Sequence, residues 1–313
     1  MIQRTFNVFL STLLLLLLQN YPTCTCAFSF ANKKALVTGS SGGIGSAIAK
    51  ELAKKGARVM IHYNTRYDGA KATKQEICDK GGICDGLIQC DFRNPSNINH
   101  MMDIIDEKWD GEIDILVNNA GLITKLAAED EDEDFTSWMD TIQVNLNAPY
   151  QLSKLAHKRM RDQKEGGNII NISSIHGSIS TEYMVAYAAS KAAMDRMTAG
   201  LSSEWAKDGV RVNAVAPGVV PVERTEAILS QQASQDMWLP HLPVGRMGTV
   251  EECAHSVVYL CENEWTSGTI LTLDGGMTAR ANMPFRPKPK PNPPEEKVVV
   301  EDDSPMVGAS FEE

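Results

Sequence analysis

A chain of 313 residues with 43% hydrophobic side chains is long enough to bury one large α/β core or two small ones. Its formal charge of −10, from 40 acidic against 30 basic side chains, argues against a nucleic-acid partner. Seven cysteines without CxxC or Cys/His ligand spacing predict ordinary thiols and no metal site.

The chain opens with a signal-peptide pattern over residues 1–27. Arg4 precedes an apolar run over residues 8–18, followed by Pro22 and a small-residue region ending at Ala27. The run is shorter than the ~20 residues that span a bilayer. Cleavage after Ala27 is therefore preferred to an uncleaved membrane anchor. A signal peptide followed by Phe28 also resembles the bipartite plastid presequences of algae with secondary plastids. The endoplasmic reticulum and a plastid both stay open as destinations. In an oxidising lumen, a disulfide framework among Cys78, Cys84, Cys90, Cys253 and Cys261 is the alternative to free thiols.

Strand-like and helix-like runs then alternate without a linker-like break, predicting one domain over residues 33–280. Lys34-Ala35-Leu36-Val37 reads as a buried strand, and Ile44, Ile48 and Leu52 follow at helical spacing until Gly56. Between them lies the loop Thr38-Gly39-Ser40-Ser41-Gly42-Gly43-Ile44-Gly45. The spacing of Gly39, Gly43 and Gly45 departs from the usual dinucleotide fingerprint, and alone it reads equally well as a tight structural turn. Its place between strand and helix adds to that, because N–H groups at a helix N-terminus attract phosphate and glycines allow close approach of a pyrophosphate. Gly39, Ser41, Gly43, Ile44 and Gly45 are assigned to a dinucleotide cofactor.

A second strand, residues 58–63, ends at Tyr63 and Asn64, where an NAD-selective enzyme places a carboxylate on the ribose hydroxyls. With none there, Asn64 and Arg66 are assigned to the cofactor, the arginine fork suiting a 2′-phosphate. NADP(H) is thus preferred, with NAD(H) as the alternative; a solvated surface arginine is the bland reading of Arg66. A third strand, residues 87–90, leads into Asp91, which either accepts from an adenine amino group or caps the next helix. A fourth, residues 113–117, leads into Asn118-Asn119-Ala120-Gly121, and Asn118, Ala120 and Gly121 are assigned to backbone contact with the cofactor. The acidic run over residues 129–134 reads as a solvated loop.

Asn145 reads alone as a helix kink, and Ser174 ends an apolar strand over residues 169–172. Tyr187 and Lys191 are four apart, so on a helix both project from one face. An ammonium beside a phenol favours the phenolate, which predicts a lowered Tyr187 pKa and an acid/base role. Pro217 and Gly218 follow the apolar run VNAVA. Residues 281–313 are proline-rich and net acidic, the composition of an extended or disordered tail.

Over residues 33–278 these motifs together resemble the short-chain dehydrogenase/reductase family: TGSSGGIG, NNAG, Asn145 in VNLNAPY, Ser174 in NISSIHG, YAASK from Tyr187 to Lys191, Pro217-Gly218 and a closing Asp274-Gly275-Gly276. The resemblance implies a single Rossmann-type doubly wound α/β domain with a seven-stranded parallel sheet. It also implies a homotetramer or homodimer packed through the helices around Asn145 and Tyr187. In that family's chemistry Tyr187 exchanges a proton with the substrate oxygen while hydride passes between nicotinamide and substrate carbon. Ser174 bonds that oxygen, Lys191 touches the nicotinamide ribose, and Asn145 holds a water linking Lys191 to solvent. Pro217 and Gly218 join the cofactor contacts.

Val222 stands where the family often has a threonine against the nicotinamide amide, and Thr225 is the candidate substitute. The pattern is similar to 3-oxoacyl carrier-protein reductases and to sugar or polyol dehydrogenases, implying a small carbonyl or alcohol substrate. An acyl carrier protein partner would be met by arginines beside the site, near which this chain has Glu165 and Asp208, with Lys158, Arg159 and Arg161 nearby. His176 and Glu182 suit a hydroxylated substrate, although His176 reads equally as a structural polar residue. A catalytically silent cofactor-binding scaffold is the reading of another class.

Overall fold

The computed structural model describes residues 28–124, 128 and 135–280. The signal-peptide pattern, the acidic run 129–134 and the proline-rich tail lie outside the described residues. Short apolar runs with both faces covered make parallel strands, and helices that cross between them supply the cover. Such a sheet forms here from β1 (Lys34–Val37), β2 (Arg58–Tyr63), β3 (Ile83–Gln89), β4 (Ile115–Asn118), β5 (Gly167–Ile172), β6 (Val210–Pro217) and β7 (Ile270–Leu273). All pairs are parallel and the order is β3-β2-β1-β4-β5-β6-β7. This is the doubly wound seven-stranded sheet that the family resemblance implies.

One face is covered by α1 (Gly43–Lys54) and α9 (Val250–Glu262), whose apolar positions pack on Val37, Ile61 and Val117. The other is covered by α3 (Pro95–Trp109), α5 (Ala148–Met160) and α6 (Val185–Trp205), with Ile98, Met102, Leu152 and Leu201 packed on Leu36, Leu116 and Val212. Each such side chain contributes roughly 1.5–3 kcal/mol when fully buried. Sequence-coded caps set the ends of two of these helices. Asn94 accepts the N–H of Ser96 ahead of α3, with Pro95 at the first position. Thr249 and Glu252 form a reciprocal capping box on α9. The remaining helices are α2 (Tyr67–Asp79), α4 (Thr136–Ile142), and the short α7 (Glu226–Leu229) and α8 (Gln232–Trp238).

Because β1 neighbours both β2 and β4, the chain winds outward in two directions from this point, and the loops after β1 and β4 diverge above the carboxyl ends of the strands. That divergence opens the site. Between α4 and α5 the backbone widens into a π-helical turn over Gln143–Asn147, a form that recurs at functional sites.

Candidate active site

A cleft of about 950 Å³ runs across this switch point, from the glycine loop at one end to Tyr187 at the other. At the first end lie Gly39, Ser41, Gly43, Ile44 and Gly45. A Cβ on Gly45 would collide with Asn119 Nδ2 and the Gly39 carbonyl, so the close approach of α1 to the loop requires glycine. The loop is fastened from three sides. Thr38 Oγ1 accepts the N–H groups of Asn119 (2.9 Å) and Ala120 (3.0 Å). Asn119 Nδ2 donates to the carbonyls of Thr38 (2.9 Å) and Gly39 (3.1 Å). The Gly39 N–H donates to His62 Nδ1 at 3.0 Å. An Nδ1 that accepts leaves the proton on Nε2, which donates to the Cys90 carbonyl at 3.0 Å. The His62 ring stacks on Phe92 with centroids 4.3 Å apart, and burial pushes its pKa down to about 4, so it is neutral.

One cofactor assignment changes, and one alternative falls away. Asn118 does not line the cleft: it is buried, with Nδ2 donating to Ser153 Oγ (3.1 Å) and Asn171 Oδ1 (2.8 Å). Alternation along β4 turns its side chain into the layer beneath the sheet, and Asn119 takes the place at the cleft. Asp91 lines the cleft but does not cap α3, which Asn94 does. Its carboxylate is gripped by Arg93 at 2.6–3.1 Å, and that hydrogen bonding holds its pKa below the ordinary value. Asn64 and Arg66 both line the cleft, Asn64 receiving Gln89 Nε2 at 3.2 Å on its carbonyl.

At the other end, β5 delivers Ser174 and α6 delivers Tyr187 and Lys191. Lys191 is buried, donates to the Ile172 carbonyl at 2.7 Å and stands 5.6 Å from the Tyr187 ring centre. Burial pushes Lys191 down to about 8, opposed by the Asp195 charge. Tyr187 departs from the expectation drawn from spacing. Burial raises its pKa, and the Ser174 hydroxyl and the Arg224 charge oppose that rise without reversing it. Withdrawal of the phenol from water outweighs its neighbours. Ser174 Oγ contacts His176 Nδ1 at 3.2 Å, and His176 Nε2 contacts Thr181 Oγ1 at 3.1 Å, so both ring nitrogens of His176 are engaged by hydroxyls.

Asn145 is buried in the π-helical turn and does not line the cleft. Its Oδ1 accepts the Leu122 N–H (2.7 Å), and its Nδ2 donates to the Leu122 carbonyl (2.8 Å) and Ser190 Oγ (3.1 Å). The amide clasps the turn carrying Gly121 and Leu122. Ala120, Gly121, Pro217 and Gly218 line the cleft, the Gly218 N–H donating to the Leu273 carbonyl at 2.9 Å. Thr225 also lines it, yet its hydroxyl is tied to the Val222 N–H (3.1 Å) within its own turn, so it does not stand in for a threonine at Val222. Three lining or neighbouring groups escaped the sequence reading: His62, Asp195 and Glu223. Asp195 follows Lys191 at the same four-residue step that joins Tyr187 to Lys191, and that step was a usable signal.

A doubly wound sheet whose switch-point cleft joins a glycine cradle to a half-buried Tyr187 beside buried Lys191 and Ser174 defines a dinucleotide-dependent oxidoreductase. Residues 39–278 match the family described as enoyl-(acyl carrier protein) reductase. The chain is 34% identical over 256 residues to 2-dehydro-3-deoxy-D-gluconate 5-dehydrogenase of Bacillus subtilis, covering 81% of this chain and 98% of that protein. It is 36% identical over 252 residues to 3-oxoacyl-[acyl-carrier-protein] reductase FabG of Escherichia coli, covering 80% and 98%. Among solved structures, a putative 2-deoxy-D-gluconate 3-dehydrogenase from Agrobacterium tumefaciens with bound NADP superposes with a TM-score of 0.72 at 32% identity, over 81% of this chain and 99% of that one. The chain belongs to the short-chain dehydrogenase/reductase family and is an NAD(P)-dependent oxidoreductase interconverting carbonyl and alcohol groups.

Proposed function

We propose that the protein is an NADP(H)-dependent ketoreductase with Tyr187 as its proton donor. The observation that carries this reading is one cleft holding Tyr187, Ser174 and Lys191 at one end and the glycine loop with Arg66 at the other, with no carboxylate at the end of β2. The residues present fit a dinucleotide: the N-terminus of α1 faces the cleft, and Gly39, Gly43 and Gly45 add no side chains of their own over the loop backbone. Gly39, Ser41, Gly43, Ile44 and Gly45 would hold the diphosphate, Asn64 and Arg66 the adenosine ribose with its 2′-phosphate, and Asp91 the adenine side. Ala120, Gly121, Pro217 and Gly218 would flank the nicotinamide half. When bound, the cofactor supplies the hydride.

Tyr187 donates its phenolic proton to the substrate oxygen, and the raised pKa keeps that proton in place at neutral pH. The Ser174 hydroxyl donates a hydrogen bond to the same oxygen and stabilises the charge that develops on it. His176 fixes the direction of Ser174 Oγ. Lys191 places an ammonium beside Tyr187 and would hold the nicotinamide ribose, and Asn145 holds the Gly121–Leu122 turn. The proposal includes assembly through α5 and α6 as a homodimer or homotetramer, and residues 1–27 as a signal peptide.

Two substrate classes are weighed. A 3-oxoacyl thioester follows the FabG relatives. A keto sugar acid is favoured by Arg224, which lines the cleft and whose charge bears on Tyr187, a suitable partner for a substrate carboxylate. Docking of an acidic carrier protein draws little support from Glu165, Asp208 and Arg159, none of which lines the cleft: Glu165 and Asp208 precede β5 and β6, at the amino ends of the strands. Arg159 pairs with Asp106, Lys33 with Glu165 at 2.8 Å, and His157 with Asp208 at 2.8 Å. Initial rates of NADPH oxidation with 3-oxoacyl thioesters, keto sugar acids and uncharged ketoses test the choice. Preference for the keto acid, lost in Arg224→Gln, supports the second class; preference for the thioester supports the first.

A further inference from the structure

The N-terminus of α1, the seat proposed for the cofactor diphosphate, already has an anion on it. Both carboxylate oxygens of Glu223 accept the Gly43 N–H, at 2.8 and 3.0 Å. Gly43 is the first residue of α1, so this N–H has no partner within the helix. The contact is buttressed. A Cβ placed on Gly42 would lie 2.9 Å from an Arg66 guanidinium nitrogen and 3.1 Å from Glu223 Oε1, so the cation and the carboxylate flank the same glycine. A Cβ placed on Gly43 would lie 3.2 Å from Val222 Cγ1, so the turn carrying Glu223 also packs on the loop. That turn is a self-contained unit: the Thr225 N–H donates to the Val222 carbonyl at 2.7 Å, and Thr225 Oγ1 accepts the Val222 N–H at 3.1 Å. It follows an anchored stretch, with the Gly218 N–H on the Leu273 carbonyl (2.9 Å) and the Gly248 N–H on the Val219 carbonyl (3.0 Å).

Resting on the dinucleotide reading above, we propose that Glu223 is an internal occupant of the diphosphate seat, which the cofactor must displace together with the 222–225 turn. A carboxylate and a phosphate oxygen compete for the same N–H, and two anions at that spacing repel. The N–H partner that Glu223 takes and the field of Arg66 beside it are what a cofactor phosphate requires. Displacement of Glu223 therefore lowers cofactor affinity below what the cradle alone would give. It also couples the cofactor end of the cleft to the turn bearing Arg224, which lines the cleft and acts on Tyr187. Glu223 thus acts as a competitor, and its removal strengthens binding, the opposite of the usual result of deleting a residue from a binding site.

The test is the dissociation constant for NADPH, measured by fluorescence titration of the full-length protein as wild type, Glu223→Gln and Glu226→Gln. Glutamine keeps the size of the side chain but removes the charge. Glu226, exposed on α7, controls for the loss of one negative charge from the region. The expected result is binding about tenfold tighter in Glu223→Gln and unchanged in Glu226→Gln. Equal or weaker binding in Glu223→Gln, or equal tightening in both variants, overturns the proposal and leaves the dinucleotide reading standing. Failure of all three proteins to bind NADPH or NADH defeats the dinucleotide reading, and this proposal with it.

Discussion

His62 Nδ1 accepts the Gly39 N–H at 3.0 Å, so a buried imidazole in β2 holds the first glycine of the cofactor loop. Its other nitrogen holds the Cys90 carbonyl at the end of β3, and the ring can satisfy both only when neutral. Burial holds the folded pKa at about 4, against 6.5 for the free side chain. Between those values the unfolded chain binds a proton that the folded chain refuses. The stability that His62 contributes is therefore fully present above pH 6.5 and is lost as the pH drops toward 4, by roughly 3 kcal/mol over the window. Denaturant midpoints at pH 7.5, 6 and 5 check this. His62→Gln, which offers an acceptor and a donor without titrating, is expected to flatten the slope.

Lys191 and Tyr187 predict the alkaline side of the activity profile. Burial lowers Lys191 to about 8 and raises Tyr187, so below pH 8 the lysine is charged and the phenol protonated, as proton donation to a carbonyl requires. The kcat/KM for carbonyl reduction is expected to be flat through neutral pH and to decline as the pH rises through about 8. A profile rising with pH across that region would contradict the assignment of proton donor.

Arg66→Ala separates the two cofactors. A charge-assisted hydrogen bond is worth ~1.5–3 kcal/mol, so the KM for NADPH is expected to rise about 10- to 100-fold while that for NADH stays near its starting value. Equal effects on both would make Arg66 a surface residue.

Gly45→Ala places a methyl group against Asn119 Nδ2 and the Gly39 carbonyl. Overpacking of this kind costs ~1–3 kcal/mol. Thermal unfolding is expected several degrees lower, with weakened cofactor binding, because the displaced groups fasten the loop.

The sheet was legible in the sequence wherever a strand is a buried apolar run between turn residues. β1 and β2 occupy the predicted spans 34–37 and 58–63. β3 begins four residues earlier than its predicted start at Leu87, because Cys84, Asp85 and Gly86 continue the ladder through an irregularity opposite Val59 and Met60. At the site, side-chain spacing located Tyr187 and Lys191, but it carries no information on desolvation, and desolvation sets the direction of the Tyr187 pKa. Asn118 and Asn119 look alike in the sequence; only the strand's phase decides which one faces the cleft. Glu223 lies 180 residues from Gly43, and no local pattern joins them. His62 was the missed signal, an imidazole among Val59, Met60 and Ile61 in a strand otherwise built for burial.

The central claim is that Tyr187 gives the proton during hydride transfer from the cofactor. Its most direct test is NADPH oxidation by full-length wild type and Tyr187→Phe against a carbonyl substrate found in the panel above, with NADPH affinity measured on both. General acid catalysis of this kind contributes ~10²–10⁴-fold. The expected result is a loss of kcat/KM in that range with cofactor affinity unchanged. Undiminished turnover in Tyr187→Phe would contradict the account, and cofactor binding without turnover of any carbonyl by the wild type would leave a silent dinucleotide-binding scaffold in its place.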